Sequence, residues 1–221
     1  MSLARYRRRT WLAAALAMAG SVTALQATRH RPEAGRVDVG SIDIASRAQV
    51  GDVLFRGTRS VEGRVVRWFD SASDYTHVGV LVRHPAEPGW AVVHASSDTR
   101  HVTLEPLHDY TSVDGMVAAG LYRWQGVESA ALQALQSDAL ATVGRPFDGA
   151  FDSADAAHLY CTELVWLLAQ WRGWAGAPVL KAIATPLGGL RVVTIDALLR
   201  ELPLQPVWRS GHAPFQTQST G

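Results

Sequence analysis

The chain has 221 residues, of which 48% are apolar and 19% are charged, and it contains one cysteine, Cys161. This composition indicates one domain with a terminal extension and excludes a largely disordered protein. A net charge of +1 gives no sign of a basic nucleic-acid-binding surface, and a single cysteine excludes an internal disulfide framework and a metal site built from several thiolates.

The N-terminal segment has the pattern of an export signal. Four arginines and no acidic residue precede an apolar run from Trp11 to Val22, and small residues lead up to Ala24. This pattern predicts residues 1–24 to be a signal peptide that is cleaved after Ala24. The apolar run is shorter than the ~20 residues that span a bilayer, but an uncleaved inner-membrane anchor and a core helix remain alternatives. We therefore expect a periplasmic or secreted bacterial protein, with residues 25–46 as a linker.

Short β-rich runs and helical patterns alternate along the rest of the chain. Strands are predicted at residues 53–55, 78–82, 90–95, 102–104 and 116–124. The spacing of apolar residues predicts helices at residues 60–70, 127–143, 161–172 and 194–201. Strands in the middle of the chain with helices around them predict an α+β domain over residues 47–210, followed by a flexible tail at residues 211–221.

Several common site motifs are absent from the sequence. There is no phosphate-binding P-loop, no G-x-S-x-G nucleophile elbow and no H-E-x-x-H zinc helix. The main remaining candidate for chemistry is Cys161 together with the histidines.

Cys161 lies where a predicted apolar helix begins. The positive end of the helix dipole and the unpaired N–H groups there favour the thiolate, and the same N–H groups can stabilise an oxyanion. A carboxylate close to the sulfur would oppose ionisation, so we expect Glu163 to point elsewhere. The alternative is a buried cysteine that only packs.

Two histidines lie on neighbouring predicted strands. His77 opens one strand and can take the proton of a thiol. His94 falls near His77 if the two strands pair, and could then fix the tautomer of the base. The alternatives are a surface histidine at a strand end for His77 and a histidine bonded to a backbone carbonyl for His94. The spacing gives no specific support to a zinc site made of these three residues.

An ordered set of short motifs resembles the NlpC-type papain-like cysteine peptidases. The motifs are GDVLF from residue 51, HVGV from residue 77, VHA from residue 93 and YCTELVW from residue 160. In most of that superfamily the cysteine helix precedes the strands, whereas here it follows them. This order resembles the circularly permuted YiiX/YaeF-like amidases, which are related to lecithin:retinol acyltransferase-like proteins. The dipeptide Pro106-Leu107 and the run GRPFD from residue 144 also fit.

The resemblance implies a permuted papain-like fold, in which a small antiparallel sheet or partial barrel packs against helices that include the cysteine helix. It implies Cys161 as nucleophile, His77 as general base and later acid, and His94 as the orienting residue, although YiiX-like members often carry an acid at that place. The backbone N–H of Cys161 would be one oxyanion donor, and Tyr75 is a candidate for the second.

The activity implied is that of an exported cysteine hydrolase that cuts amide bonds of cell-wall peptides through a thioester intermediate. One alternative is an acyl enzyme acting on lipids, as a hydrolase, thioesterase or acyltransferase. Another is a catalytically silent binding module. Peptidoglycan peptides or acyl lipids are the expected substrates. We expect no nucleic acid partner, no metal and no other cofactor, and membrane association only through the N-terminal segment.

Overall fold

Eight strands and five helices make up the part of the chain that the computed structural model describes, residues 40–59, 73–153, 155, 157–185 and 188–210. The strands are β1 (Val53–Thr58), β2 (His77–Arg83), β3 (Trp90–Ser96), β4 (His101–Pro106), β5 (Met116–Trp124), β6 (Lys181–Thr185), β7 (Gly188–Val192) and β8 (Leu204–Arg209). The helices are α1 (Ser41–Arg47), α2 (Leu107–Thr111), α3 (Ser129–Ala141), α4 (Cys161–Trp171) and α5 (Ile195–Glu201).

Six strands form one antiparallel sheet in the order β4-β3-β2-β1-β5-β8. The remaining two strands, β6 and β7, form a separate antiparallel hairpin. The predicted α+β class is therefore confirmed, and all five predicted strands belong to the large sheet. The helices predicted around residues 127–143, 161–172 and 194–201 are also present, as α3, α4 and α5.

Both faces of the large sheet are covered, which explains the strongly apolar central strands. Side chains alternate between the faces of a strand, and on β2 Val78, Val80 and Val82 pack toward α3 and α4. Leu81 points the other way and packs with Ile44 of α1 and with residues of α2. His77 and His94 are next to Val78 and Val93, whose side chains lie on the face that α3 and α4 cover. The side chains of the two histidines therefore belong to the opposite face.

The start of β1 is pinned to β5 by a buried ion pair. Gly51 adopts a φ of 83°, a conformation that glycine enters without strain. The next residue, Asp52, is buried and receives Arg123 Nε at 2.9 Å and Arg123 Nη2 at 2.7 Å. Trp124 Nε1 donates to the carbonyl oxygen of Gly51 at 2.8 Å. The Gly-Asp dipeptide of the sequence therefore has a structural task.

The structure corrects the sequence prediction in four places. The expected linker over residues 25–46 ends in helix α1, because Ile44 has an apolar surface of the sheet to pack against and is fully buried there. Helix α2 was not predicted. The hairpin β6–β7 and the edge strand β8 were not predicted either. The predicted signal peptide, the helix at residues 60–70 and the tail at residues 211–221 lie outside the described residues, among which no helix has the length and hydrophobicity needed to cross a membrane.

Candidate active site

Strands β2 and β3 separate at the end where His77 lies. The ladder between β2 and β3 runs from Val80 opposite Val93 to Arg83 opposite Trp90 and does not reach His77. In this opening His77 Nε2 lies 2.8 Å from His94 Nδ1, and the two rings are perpendicular. The structure thus brings together the two histidines that the sequence predicted.

Helix α4 packs across β2 and β3, and Cys161 is its first residue. The backbone N–H of Val78 is directed at the sulfur, as are the N–H groups of Cys161 itself and of Thr162. The sulfur therefore lies beside the His77–Val78 peptide. The bond to His94 involves His77 Nε2, so Nδ1 is the second ring nitrogen of His77.

The N–H groups at the start of α4 stabilise the thiolate of Cys161, as the sequence predicts, but burial has a larger effect in the opposite direction. Burial raises the pKa of Cys161 to about 11, although the N–H groups of Val78 and Thr162 and the charge of Arg56 each lower it. Desolvation disfavours a charged form, and here it outweighs the stabilising groups. The resting cysteine is a neutral thiol.

The two imidazoles are also neutral. Burial is the largest cause that holds the pKa of His77 well below its usual value, and the positive charge of Arg56 acts in the same direction. Burial likewise lowers the pKa of His94, although its contact with Glu105 opposes the change. Near neutral pH these shifts favour the uncharged forms of Cys161, His77 and His94.

Glu105 and Arg56 extend the site beyond the predicted residues. His94 Nε2 lies 2.9 Å from Glu105 Oε2. The angle of this contact is less favourable for a hydrogen bond than the angle between His77 Nε2 and His94 Nδ1. Arg56 Nη1 lies 3.7 Å from the same carboxylate oxygen and donates to the carbonyl oxygen of Tyr110 at 2.9 Å. The two histidines thus lead to a carboxylate–guanidinium pair.

Tyr110 lies beneath these groups. The guanidinium of Arg56 is 4.2 Å from the centre of the tyrosine ring, and the ring of His94 meets it edge-on at 5.1 Å. The hydroxyl donates to the carbonyl oxygen of Leu54 at 3.1 Å, which fixes the ring to β1. The buried ring of Tyr110 therefore restricts the positions of the His94 and Arg56 side chains.

The carboxylate of Glu163 has a backbone partner and is not among the groups that shift the pKa of Cys161. Its carboxylate accepts the backbone N–H of Tyr160, the residue before the helix, which is the reciprocal half of a capping box. Burial raises the pKa of Glu163 to about 7. Its place in the sequence reflects helix capping, so it does not oppose ionisation of Cys161 by direct contact.

The beginning of α4 is held by the segment after β7. Thr162 Oγ1 donates to the carbonyl oxygen of Val193 at 2.6 Å, and the N–H of Val193 donates to the hydroxyl oxygen of Tyr160 at 2.8 Å. These two bonds flank Cys161 on either side in the sequence. Residues beyond 172, which carry no recognisable motif, therefore position the nucleophile.

Tyr75 lies elsewhere. Its ring packs against Phe55 and Tyr122, and its hydroxyl is against Gly120 of β5, on the far side of β1 from β2. Among the described residues, the groups that shift the pKa of Cys161 do not include Tyr75. The structure gives no support to Tyr75 as the second oxyanion donor.

Three comparisons with known proteins bear on this site. Residues 47–172 match the family described as "Permuted papain-like amidase enzyme, YaeF/YiiX, C92 family". A solved structure from Escherichia coli O157:H7, described as "metalloprotein yiiX", is similar with a TM-score of 0.60 and 23% identity, covering 73% of this chain and 97% of that one. No curated protein matches the chain.

The description of that neighbour as a metalloprotein raises the question of a metal, and the geometry here does not fit one. His77 Nε2 and His94 Nδ1 are turned toward each other at 2.8 Å, so these nitrogens do not converge on a common point. Within the described ranges no group of three or more His, Cys, Asp or Glu side chains is arranged to hold an ion.

The family match covers more than half of the chain and includes both histidines, the glutamate and the cysteine. The solved structure adds that the fold itself is shared. The expected fold and family are thereby confirmed, including the permuted order in which the cysteine helix follows the strands. The chain belongs to the permuted papain-like amidase family YaeF/YiiX and is a cysteine hydrolase of the amidase type.

Proposed function

We propose that this protein is an exported cysteine amidase that cuts peptide amide bonds of the bacterial cell wall, with Cys161 as nucleophile, His77 as base and His94 as the orienting residue. The observation that carries the proposal is the short bond between His77 Nε2 and His94 Nδ1 at the place where the sulfur meets the Val78 N–H. A base oriented by a second polar group next to a nucleophile is the arrangement of a catalytic triad.

Acylation begins with the neutral pair. As Sγ of Cys161 bonds to the carbonyl carbon of the substrate, its proton passes to Nδ1 of His77 and negative charge develops on the carbonyl oxygen. Because the thiol pKa is raised and the His77 pKa is lowered, proton transfer accompanies attack rather than preceding it. The backbone N–H of Cys161 at the start of α4 is the proposed oxyanion donor.

The intermediate then collapses. The carbon–nitrogen bond breaks, the leaving amine takes the proton from His77, and the acyl group stays on the sulfur as a thioester. A water molecule gives its proton to His77 Nδ1 as its oxygen adds to the thioester carbon. The carbon–sulfur bond breaks, the sulfur recovers the proton, and a carboxylic acid leaves.

The cell-wall substrate and the compartment belong together in this proposal. The amidase family indicates that the bond cleaved is an amide. In this proposal the arginine-rich, apolar start of the chain directs the enzyme out of the cytoplasm. Outside the cytoplasm, the peptides of peptidoglycan offer amide bonds as substrates. Export is tested by sequencing the N-terminus of the mature protein. Cleavage after Ala24 gives Leu25 as the first residue, and an intact Met1 on a protein found in the cytoplasm contradicts export.

The activity is tested by incubating the full chain with muropeptides, acyl thioesters and lysophospholipids and identifying the products by mass spectrometry. We expect a muropeptide amide to be cleaved and the activity to disappear in Cys161→Ser and His77→Ala. His108→Ala, which changes an exposed residue of helix α2, is the matched control and should retain activity. Turnover of the lipids alone would replace the amidase with a lipid acyl hydrolase, and no turnover would indicate a silent binding module.

A further inference from the structure

The catalytic histidines are followed by a carboxylate that is itself paired with an arginine. Glu105 Oε2 is 2.9 Å from His94 Nε2 and 3.7 Å from Arg56 Nη1. The side chain of His94 is 2% exposed, that of Arg56 12% and that of Glu105 29%, so the contact between ring and carboxylate is screened from bulk water.

The register of the sheet places these groups on one face. Arg56 of β1 lies directly opposite His77 of β2, and His94 of β3 lies opposite Thr103 of β4. Glu105 is two residues beyond Thr103, and side chains two residues apart share a face of a strand. Four adjacent strands thus contribute one side chain each to a single row.

The chemistry of the carboxylate determines which ring nitrogens carry protons. An ionised carboxylate accepts hydrogen bonds and donates none. With Glu105 beside it, His94 Nε2 is the protonated nitrogen and His94 Nδ1 carries the lone pair. That lone pair can only accept, so the bond between the rings is donated by Nε2–H of His77. His77 Nδ1 is then bare.

The opposite arrangement would be inactive. If His94 carried its proton on Nδ1, it would donate to His77 Nε2, and His77 would carry its own proton on Nδ1. Such an imidazole cannot accept the proton of the Cys161 thiol. Nothing within the pair of histidines itself distinguishes the two arrangements, because a bond of the same length serves both.

Arg56 makes the selection firm. A guanidinium remains charged at every working pH, and Arg56 Nη1 lies 3.7 Å from Glu105 Oε2. Its charge also disfavours a proton on His77. The same cation therefore pairs with the carboxylate and disfavours a charge on His77.

We infer that Glu105, paired with Arg56, is a positioning residue that fixes the tautomers of His94 and His77 so that His77 Nδ1 carries no proton and can accept that of the Cys161 thiol. The catalytic consequence rests on the proposed function, whereas the tautomer assignment does not. Glu105 acts through His94 and does not touch the reacting atoms.

The test measures tautomers directly. In the full chain labelled with ¹⁵N-histidine, at pH 7, ring nitrogen shifts report which nitrogen of His77 and of His94 is protonated. We expect both rings to be in the Nε2–H form. Glu105→Gln replaces the carboxylate with an amide that can donate as well as accept, and we expect a mixture of the two tautomers at His77 together with at least a tenfold loss in kcat and little change in KM.

Two further variants separate this role from simple stability. Asp138 is paired with Arg172 at 3.0 Å and is 27% exposed, so Asp138→Asn removes a carboxylate of matched burial and pairing elsewhere and should leave the tautomers and kcat unchanged. Glu105→Asp keeps the charge and should retain the Nε2–H form of His77 better than Glu105→Gln does.

A Glu105→Gln protein whose His77 remains entirely in the Nε2–H form overturns the inference, whatever its activity. An active wild-type enzyme that is indifferent to Glu105→Gln also overturns it while leaving the proposed function intact. Conversely, a wild-type protein without amidase activity but with a mixed tautomer signal in Glu105→Gln refutes the proposed function alone.

Discussion

Gly79 lies so close to His94 that a Cβ at position 79 would come within 2.9 Å of the histidine Cβ and 2.5 Å of a methyl group of Val92. It would also lie 2.8 Å from the carbonyl oxygen of Val93. The absence of a side chain at this position is therefore what lets β3 bring His94 up to His77 where the ladder between the strands has ended.

Replacing Gly79 with alanine should impair both folding and catalysis. The added methyl group meets backbone as well as side chains, and overpacking of this kind costs about 1–3 kcal/mol of unfolding free energy. Because the displaced strand carries His94, kcat should fall by more than the loss of folded protein explains. Urea denaturation and kinetics on the same samples measure the two effects. Gly149→Ala, where an added Cβ meets nothing within 4 Å, is the control, and equal behaviour of the two variants would contradict this interpretation.

The reactivity of Cys161 should depend on His77. Burial raises the pKa of the thiol to about 11, so at pH 7 alkylation requires that His77 remove the proton as the bond forms. In His77→Ala the rate of alkylation by iodoacetamide at pH 7 should fall at least tenfold and should then climb steadily toward pH 11. Mass spectrometry of the labelled chain gives the rate at its single cysteine. An unchanged rate at pH 7 would show that His77 does not remove the proton of the Cys161 thiol.

Stability should fall as the pH is lowered below 6.5, the ordinary pKa of a histidine. Burial holds the pKa values of His77 and His94 below that value in the folded protein. Between the folded and unfolded pKa values the unfolded chain binds protons that the folded chain does not, so acid favours unfolding. The unfolding free energy, measured in urea between pH 7 and pH 5, should decline less steeply in His94→Asn. The exposed His108→Asn serves as the comparison, and identical slopes in the two variants would show that His94 does not contribute.

The buried pair at the start of β1 should be a main determinant of stability. Asp52 is 1% exposed, and Arg123 binds both of its carboxylate oxygens. Arg123→Met leaves a buried carboxylate without its cation, a change that costs about 3–5 kcal/mol. Thermal and urea unfolding report the loss. Arg123→Met combined with Asp52→Leu should recover part of it, and a double variant no more stable than Arg123→Met would contradict the assignment to the unpaired charge.

The sequence predicted the parts of this molecule that depend on local pattern. Short β-rich runs predicted the strands that carry His77 and His94, and the apolar run after Cys161 predicted α4. The ordered motifs then placed the cysteine and the histidines in one site. Each of these features can be recognised within a window of a few residues, or by the order of such windows.

The missed elements depend on pairing at long range. Glu105 lies on β4, which forms a hairpin with β3. It contacts His94 only because the register of that hairpin places His94 opposite Thr103. The signal available in the sequence was the period-two spacing of Thr103 and Glu105, which puts a charged side chain on the face of the histidines. Arg56 required in addition the pairing of β1 with β2. Strand β8 has little apolar alternation and is recognisable only beside β5.

The permuted connection has a consequence for when the enzyme can first act. The row of Arg56, His77, His94 and Glu105 is built from β1 to β4, whereas Cys161 opens a helix that begins more than fifty residues after the end of β4 and is held at its first turn by Val193. During synthesis, His77 and its partners are therefore made before the cysteine that His77 activates. The competent enzyme exists only after the late segment has docked, so maturation of activity is coupled to completion of the fold.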